Sequence, residues 1–402
     1  MQKLPEHPLD LLRLEDTLPT EHRMMSRALR DYLTHELLPH VCDWDRQERT
    51  LTGEVLRDMM TTTEACPTTI EGTWGGKEFT TSDYLMKGVV MREIERVDSG
   101  LRSACSVQQS LVMMPIYWYG TDEQKHRWLR PLSEFTAVGC YGQTEPGAGS
   151  DPASMRTRAR RDGDDWIISG EKCWITNAPI ADVAIVWAKN DAGLIQGFLV
   201  DMHLPGITVK KESKWALRLS STGHINFADV RVPDSARLPK AVGLTSAFRC
   251  LNEARFGIAW GLVGASEAIF EEALGYASGR KQFDRPIASF GHQRKRIAEM
   301  AQNLTAMQCF AHRVAILADL HGSLTDLHVR TMVAMAKGHN SVKGREIAEH
   351  GKRLLGANHC SFDYHTPRHA RNFEVVWTYE GTGDIHELIL SEYLTGIPAF
   401  NN

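Results

Sequence analysis

Short runs of this sequence hold the residues with the most chemistry in them. YEGTGDIH (379–386) sets one carboxyl, Glu380, between an aromatic ring and glycines. Flanking glycines let the backbone come close to a ligand. A carboxyl against apolar surface has its pKa raised toward neutrality, where it works as a general base; the plainer reading is a solvated loop acid. TEPGAGSD (144–151) follows an apolar segment. Its small residues leave backbone N–H groups free to meet a phosphate or a polar ring edge, against the plainer reading of a glycine turn between strands. CWITNAP (173–179) puts an indole beside a hydroxyl and an amide, a set that can cover an aromatic cofactor or bury a core tryptophan.

LRSACSVQQS (101–110) places Arg102 and Ser106 at i and i+4, on one helix face. A buried Arg with a hydroxyl beside it makes a carboxylate clamp; an exposed helix Arg is the ordinary alternative. His365 and His369 share the same spacing, with His359 nearby, but the T-P-R between them holds no acid and Pro367 is expected to spoil the helix. No metal site is expected. The eight cysteines are scattered without a C-x-x-C, so neither a zinc site nor a disulfide framework is suggested. That usage points to a reducing, cytoplasmic setting.

Several elements must position these residues. A chain of 402 residues, 42% hydrophobic and 24% charged, should hold two or three packed domains. Its net charge of -4 gives no reason to expect nucleic acid, and no apolar run is long enough for a membrane span. The opening MQKLPEHPLDLLRLEDTLPT lacks the features of a signal or transit peptide. Residues 8–130 read as helices, with Thr20 as an N-cap and apolar residues recurring at Ala28, Tyr32, Leu33, Leu37 and Leu38. The pattern is helical again over 82–109, whereas 61–82, rich in Thr and Gly, reads as an ordered loop. Over 135–238 short β-branched and aromatic runs such as VAIVWAK and GFLVDM alternate with turn signals. They predict a compact antiparallel β-domain with some strands buried on both faces. Residues 240–396 carry long apolar stripes at helical spacing, which predict a bundle and an oligomer. The expected domains are 1–134 (helical), 135–239 (β) and 240–402 (helical bundle).

TEPGAGSD, CWITN, ARFGIAW (254–260), GRKQFDRPI (279–287), LLGANH (354–359) and YEGTGDIH, in this order, resemble the acyl-CoA dehydrogenase family over about residues 8–400. ERVDSGLRSACSVQQSLVMMPIYWYG (95–120), with TYEGTGDIHELIL and TGIPAF, is most similar to its glutaryl-CoA dehydrogenase branch. The resemblance implies an N-terminal helical domain, a middle antiparallel β-domain and a C-terminal four-helix bundle, assembled as a homotetramer or homodimer. It implies FAD in the cleft between β-domain and bundle. Tyr141, Gln143, Thr144, Gly149, Ser150, Trp174, Ile175, Thr176 and Thr382 would meet the flavin. Leu355, Gly356 and Asn358 would close on the pyrophosphate. Arg280, Gln282, Phe283 and Gln293 would hold the adenine dinucleotide half across a dimer interface. Glu380 matches the catalytic base; the base position of some relatives, before Arg255, is Ala254 here, with Glu253 beside it. Ser150, Phe248, Leu251, Asn252, Arg255, Tyr379 and Gly381 would meet the acyl-CoA thioester, and Arg102, Ser103, Ser106 and Glu95 the distal carboxylate of glutaryl-CoA.

The implied reaction is α,β-dehydrogenation with loss of CO2 to crotonyl-CoA, the electrons passing to an electron transfer flavoprotein or to O2. Other acyl-CoA or carrier-bound thioesters, and an inactive scaffold of the same fold, are the alternatives. The chain departs from the family pattern at Gln143, Ala357, His359 and Gly383, and in the 61–82 segment.

Overall fold

A computed structural model describes residues 8–400; residues 1–7, at the start of the expected helical domain and of the opening stretch, and residues 401–402 lie outside the described residues. The N-terminal third folds as α1 (Thr20–Tyr32), α2 (Leu38–Arg46), α3 (Gly53–Thr63), β1 (Gly72–Trp74), β2 (Lys77–Phe79), α4 (Tyr84–Val97), α5 (Ser99–Ser106), α6 (Met114–Tyr119) and α7 (Asp122–Ser133). Thr20 does not cap α1. It is the first helical residue behind Pro19, and its hydroxyl accepts from Arg23 Nη2 at 3.3 Å. The 61–82 segment is not a loop throughout: β1 and β2 pair as a hairpin across Gly75 and Gly76, both at positive φ. The helical pattern over 82–109 is interrupted at Asp98, whose backbone is extended. Its carboxylate accepts from Gly100 N at 2.6 Å and from Arg368 Nε at 3.0 Å, which starts α5 in a new direction.

The middle of the chain supplies β3 (Gly139–Gly142), β4 (Arg158–Asp162), β5 (Asp165–Thr176), β6 (Val183–Lys189), β7 (Ile195–Asp201), β8 (Ile207–Lys211) and β9 (Thr222–Pro233). They form one seven-stranded sheet in the order β3-β6-β4-β5-β9-β8, with β7 on β6. Pairing is antiparallel except between β3 and β6 and at a single β4–β6 position, Arg158↔Lys189. The exception follows from topology, because β3 enters from the helical region and a long excursion separates it from β6. All of β3 and most of β6 are buried, which explains their unbroken apolar runs.

The C-terminal part consists of α8 (Gly243–Gly279), the hairpin β10 (Lys281–Gln282) and β11 (Arg285–Pro286), α9 (Gly291–His321), α10 (Leu327–Leu355), α11 (His365–Thr378) and α12 (Gly383–Thr395). Pro367 does not break α11, because it sits in the first turn, where its missing N–H costs nothing. His365 instead meets Arg368 Nη1 at 2.8 Å. One apolar core runs from α1, α3 and α4 through α8, α9 and α10; a second joins α6, α7, β3 and the start of α8; a third fills the sheet. The α4–α8 crossing is close enough to demand glycine. A Cβ on Gly264 would lie 1.9 Å from the Arg92 carbonyl oxygen, and one on Gly261 1.9 Å from Glu95 Oε2. That approach sets where Glu95, and through it Arg102, can stand. Among the described residues no helix is long and apolar enough to cross a membrane.

Candidate active site

A cavity of about 1910 Å3 opens between the sheet, α8, α10 and the α11–α12 connection. Single small-ligand pockets are typically ~300–1,000 Å3, so the space suits a cofactor and a substrate together. Its sheet wall is built on strain. The β5–β9 register slips between Lys172 and Ile175, and Trp174 there adopts φ 59° with 62% of its surface exposed. A non-glycine residue held in this region persists only where its surroundings enforce it. Here the Cys173 N–H donates to the Thr144 carbonyl at 3.0 Å, tying the indole segment to the glycine-rich run.

Below that junction the buried Lys172 ammonium reaches the Gln143 carbonyl at 3.1 Å and Glu145 Oε1 at 2.8 Å. Glu145 in turn accepts from the N–H groups of Arg156 and Thr157. Gly149 is open to space on its Cβ side. Thr144, Ser150 and Thr176 line the same cavity as Tyr141, Gln143 and Ile175. An exposed indole with hydroxyls and open backbone around it is a fitting donor set for a flavin.

Across the cavity lies Glu380, at φ 54° between the end of α11 and Thr382, whose hydroxyl caps α12 by accepting from Ile385 N at 3.3 Å. Arg255 Nε donates to the Glu380 carbonyl at 2.8 Å. Glu380 Oε2 is buried without a hydrogen-bond partner among the described residues. Burial holds this carboxyl above its ordinary pKa, opposed by the positive charges of Arg102, Arg255 and Lys337. Ser103, Phe248, Leu251, Asn252, Arg255, Tyr379, Gly381 and Thr382 line the cavity with it. Glu253 does not: its carboxylate is bound to Lys87 Nζ at 2.5 Å and to the Tyr84 hydroxyl at 2.9 Å, both buried.

Arg102 stands behind the wall rather than in it. Its side chain is fully buried, with Nε on Glu95 Oε2 at 2.5 Å and Nη2 donating to the Tyr379 hydroxyl; Nη1 has no partner among the described residues. Ser106 is buried, its hydroxyl without a partner among the described residues. Other expected residues lie apart from the cavity. Arg280, Gln282 and Phe283 belong to the β10–β11 hairpin, where Phe283 is 87% exposed, and Gln293 starts α9. Leu355, Gly356 and Asn358 end α10, and Asn358 Nδ2 donates to the hydroxyls of Tyr276 and Tyr364. Lys172 and Lys337 were not singled out in the sequence, and Glu145 only as part of TEPGAGSD. Lys337 has a legible signal, being a lone charge in the otherwise apolar stripe of Val333, Ala334 and Ala336.

The family models for the N-terminal, middle and C-terminal domains of acyl-CoA dehydrogenase match residues 19–135, 140–230 and 241–395. The mitochondrial short-chain specific acyl-CoA dehydrogenase of Bos taurus is 32% identical over 385 residues, covering 94% of this chain and 90% of that protein. A crystal structure of a glutaryl-CoA dehydrogenase from Mycobacterium smegmatis in complex with FADH2 matches with TM-score 0.93 and 38% identity, over 98% of this chain and 99% of the other. Butyryl-CoA dehydrogenase from Megasphaera elsdenii matches with TM-score 0.87 and 27% identity, over 94% and 98%. With three family models matched in order along most of the chain, the protein belongs to the acyl-CoA dehydrogenase family and is an FAD-dependent oxidoreductase.

Proposed function

We propose that this enzyme dehydrogenates a short dicarboxyl acyl-CoA at the α,β bond, with glutaryl-CoA as substrate and crotonyl-CoA and CO2 as products. The observation that carries the chemistry is the Glu380 carboxyl, with one oxygen buried and unpartnered in the cavity that Trp174 and Thr176 also line. When bound, FAD supplies the hydride acceptor for the substrate β-carbon. Glu380 takes the α-proton; its raised pKa brings it nearer the weak acid it must deprotonate. Its backbone N–H donates to the thioester oxygen, where negative charge develops; a donor of this kind is worth roughly 3–4 kcal/mol in other enzymes. Loss of CO2 from the oxidised acyl group leaves a dienolate, which the same carboxyl reprotonates.

The dicarboxyl reading rests on Arg102, whose buried Nη1 has no partner among the described residues while Nε and Nη2 are engaged. A buried guanidinium donor left without a partner among the described residues, one residue along the chain from the cavity-lining Ser103, suits a distal carboxylate. A second reading, a plain short acyl-CoA, draws on the same side chain, because Glu95 already neutralises it. Anaerobic bleaching of the flavin by glutaryl-CoA and butyryl-CoA, with product masses, separates the two. Release of CO2 and crotonyl-CoA supports the first, and bleaching by butyryl-CoA alone refutes it. In the same reading the electrons pass to an electron transfer flavoprotein or O2. The enzyme works in the cytoplasm as a homodimer or homotetramer. Arg280, Gln282, Phe283 and Gln293 serve the dinucleotide of a second copy, with Leu355, Gly356 and Asn358 against its pyrophosphate.

A further inference from the structure

Lys337 on α10 is fully buried. An ammonium has three N–H donors, and here each finds a backbone carbonyl: Trp377 at 3.2 Å, Tyr379 at 2.9 Å and Gly381 at 2.6 Å. Those carbonyls bracket Glu380. The Glu380 carbonyl goes instead to Arg255 Nε at 2.8 Å, on α8. The left-handed turn at Glu380 (φ 54°) and Gly381 (φ 97°) is therefore gripped by two cations on two helices. An aliphatic or neutral side chain at 337 would leave buried carbonyls of this loop without a donor.

We propose that Lys337 is a positioning residue for Glu380: its ammonium fixes the loop that aims the carboxyl into the cavity, and its charge tunes that carboxyl's hold on the α-proton. The proposal rests on Glu380 being the base. The groups facing Glu380 are Arg102 on α5, Arg255 on α8, Lys337 on α10 and Lys87 on α4, with Tyr141 and Tyr379 as neutral neighbours. Those facing Lys337 are Glu380, Arg255 and Arg102. His386 on α12 abuts Gly381 and is kept neutral by burial, its pKa pulled down to about 2. Burial likewise pulls Lys337 down to about 7, against the attraction of Glu380. Each cation lowers the Glu380 pKa that burial raises, so removing one lets it climb further.

The test uses the FAD-loaded enzyme and the Lys337→Gln, Lys337→Met and Lys337→Arg variants. Infrared difference titration follows the protonated carboxyl band, assigned to Glu380 by its absence in Glu380→Gln. We expect the midpoint to rise by about one pH unit in the Gln and Met variants. The acid limb of kcat should move with it, kcat falling by ~10-fold and KM little changed, while Lys337→Arg returns the midpoint toward the parent value. An unmoved midpoint, with only the melting temperature lowered, overturns the proposal and makes Lys337 a packing residue. Failure of all three variants to fold overturns it as well. Full turnover by Glu380→Gln would end the base assignment itself, a result distinct from either.

Discussion

Arg102 and Tyr379 meet at the back of the cavity: Nη2 of the guanidinium donates to the phenol oxygen, and the guanidinium carbon lies 5.6 Å from the tyrosine ring centre. Tyr379 precedes Glu380 and lines the cavity, so it couples the buried cation to the loop that carries the carboxyl.

That arrangement dictates how the clamp must be tested. Arg102→Ala alone would strand Glu95, a fully buried carboxylate, at a cost of about 3–5 kcal/mol. The informative variant is Arg102→Gln with Glu95→Gln, which removes the ion pair without stranding a charge, though it shortens the side chain at 102. We expect kcat/KM for glutaryl-CoA to fall at least ~100-fold, the order of a lost charge-assisted pair, and that for butyryl-CoA by less than about threefold. Equal losses on both thioesters would remove the distal-carboxylate role.

Glu380→Gln is expected to keep the fold and the bound FAD while abolishing bleaching by any thioester. The sign of the pH dependence follows from burial. The working form of Glu380 is the carboxylate, and burial raises its pKa, so activity is lost as pH falls through a value above the ordinary ~4.3 of a glutamate. A kcat profile flat down to pH 4 would contradict it.

The chemistry-bearing runs were legible as an ordered set, through the family resemblance, while each alone also fitted an ordinary turn, strand or loop; the backbone they adopt was not. Trp174 and Glu380 both hold left-handed backbone. The long helices and buried strands were legible from periodicity. The hairpin at 72–79 was not, since each strand is three residues long and its turn glycines lie in a Thr-rich stretch. Nor was the Asp98 break: Asp98 caps α5 by accepting from Gly100 N, but its carboxylate is held in place by Arg368 and Asn372, some 270 residues away in the chain. Spacing alone leaves Arg102 between a clamp and an ordinary helix Arg, and the resemblance points to the clamp; its commitment to Glu95 and Tyr379 depends on the α4–α8 approach and the α11 end. Lys172–Glu145 is another long-range pair that no local pattern exposes.

The left-handed Trp174 gives a prediction in which stability and cofactor binding part company. Its indole is largely exposed in the cavity, so it contributes little to the core, while its φ of 59° costs of order 1–3 kcal/mol. Trp174→Gly removes the strain and the ring together. Thermal melting of the apoprotein should not fall, whereas the Kd for FAD should rise at least ~10-fold, as expected when a stacking surface worth ~1.4 kcal/mol or more is lost. Unchanged FAD affinity would take Trp174 out of the flavin wall.

Gly264→Ala tests whether the helix crossing sets the position of the clamp. The added methyl would fall 1.9 Å from the Arg92 carbonyl oxygen, a backbone atom that cannot swing aside. α4 must therefore back away from α8, at about 1–3 kcal/mol for overpacking. Arg92, bound to Glu267 at 2.9 Å across the same crossing, resists that movement. Glu95 rides on α4 one turn further along, and Arg102 is held by Glu95, so the guanidinium should shift with the helix. We expect a lower melting temperature together with a larger loss of kcat/KM for glutaryl-CoA than for butyryl-CoA. The same melting loss with equal effects on both substrates would show that Arg102 is held by Tyr379 and the α5 backbone rather than through α4.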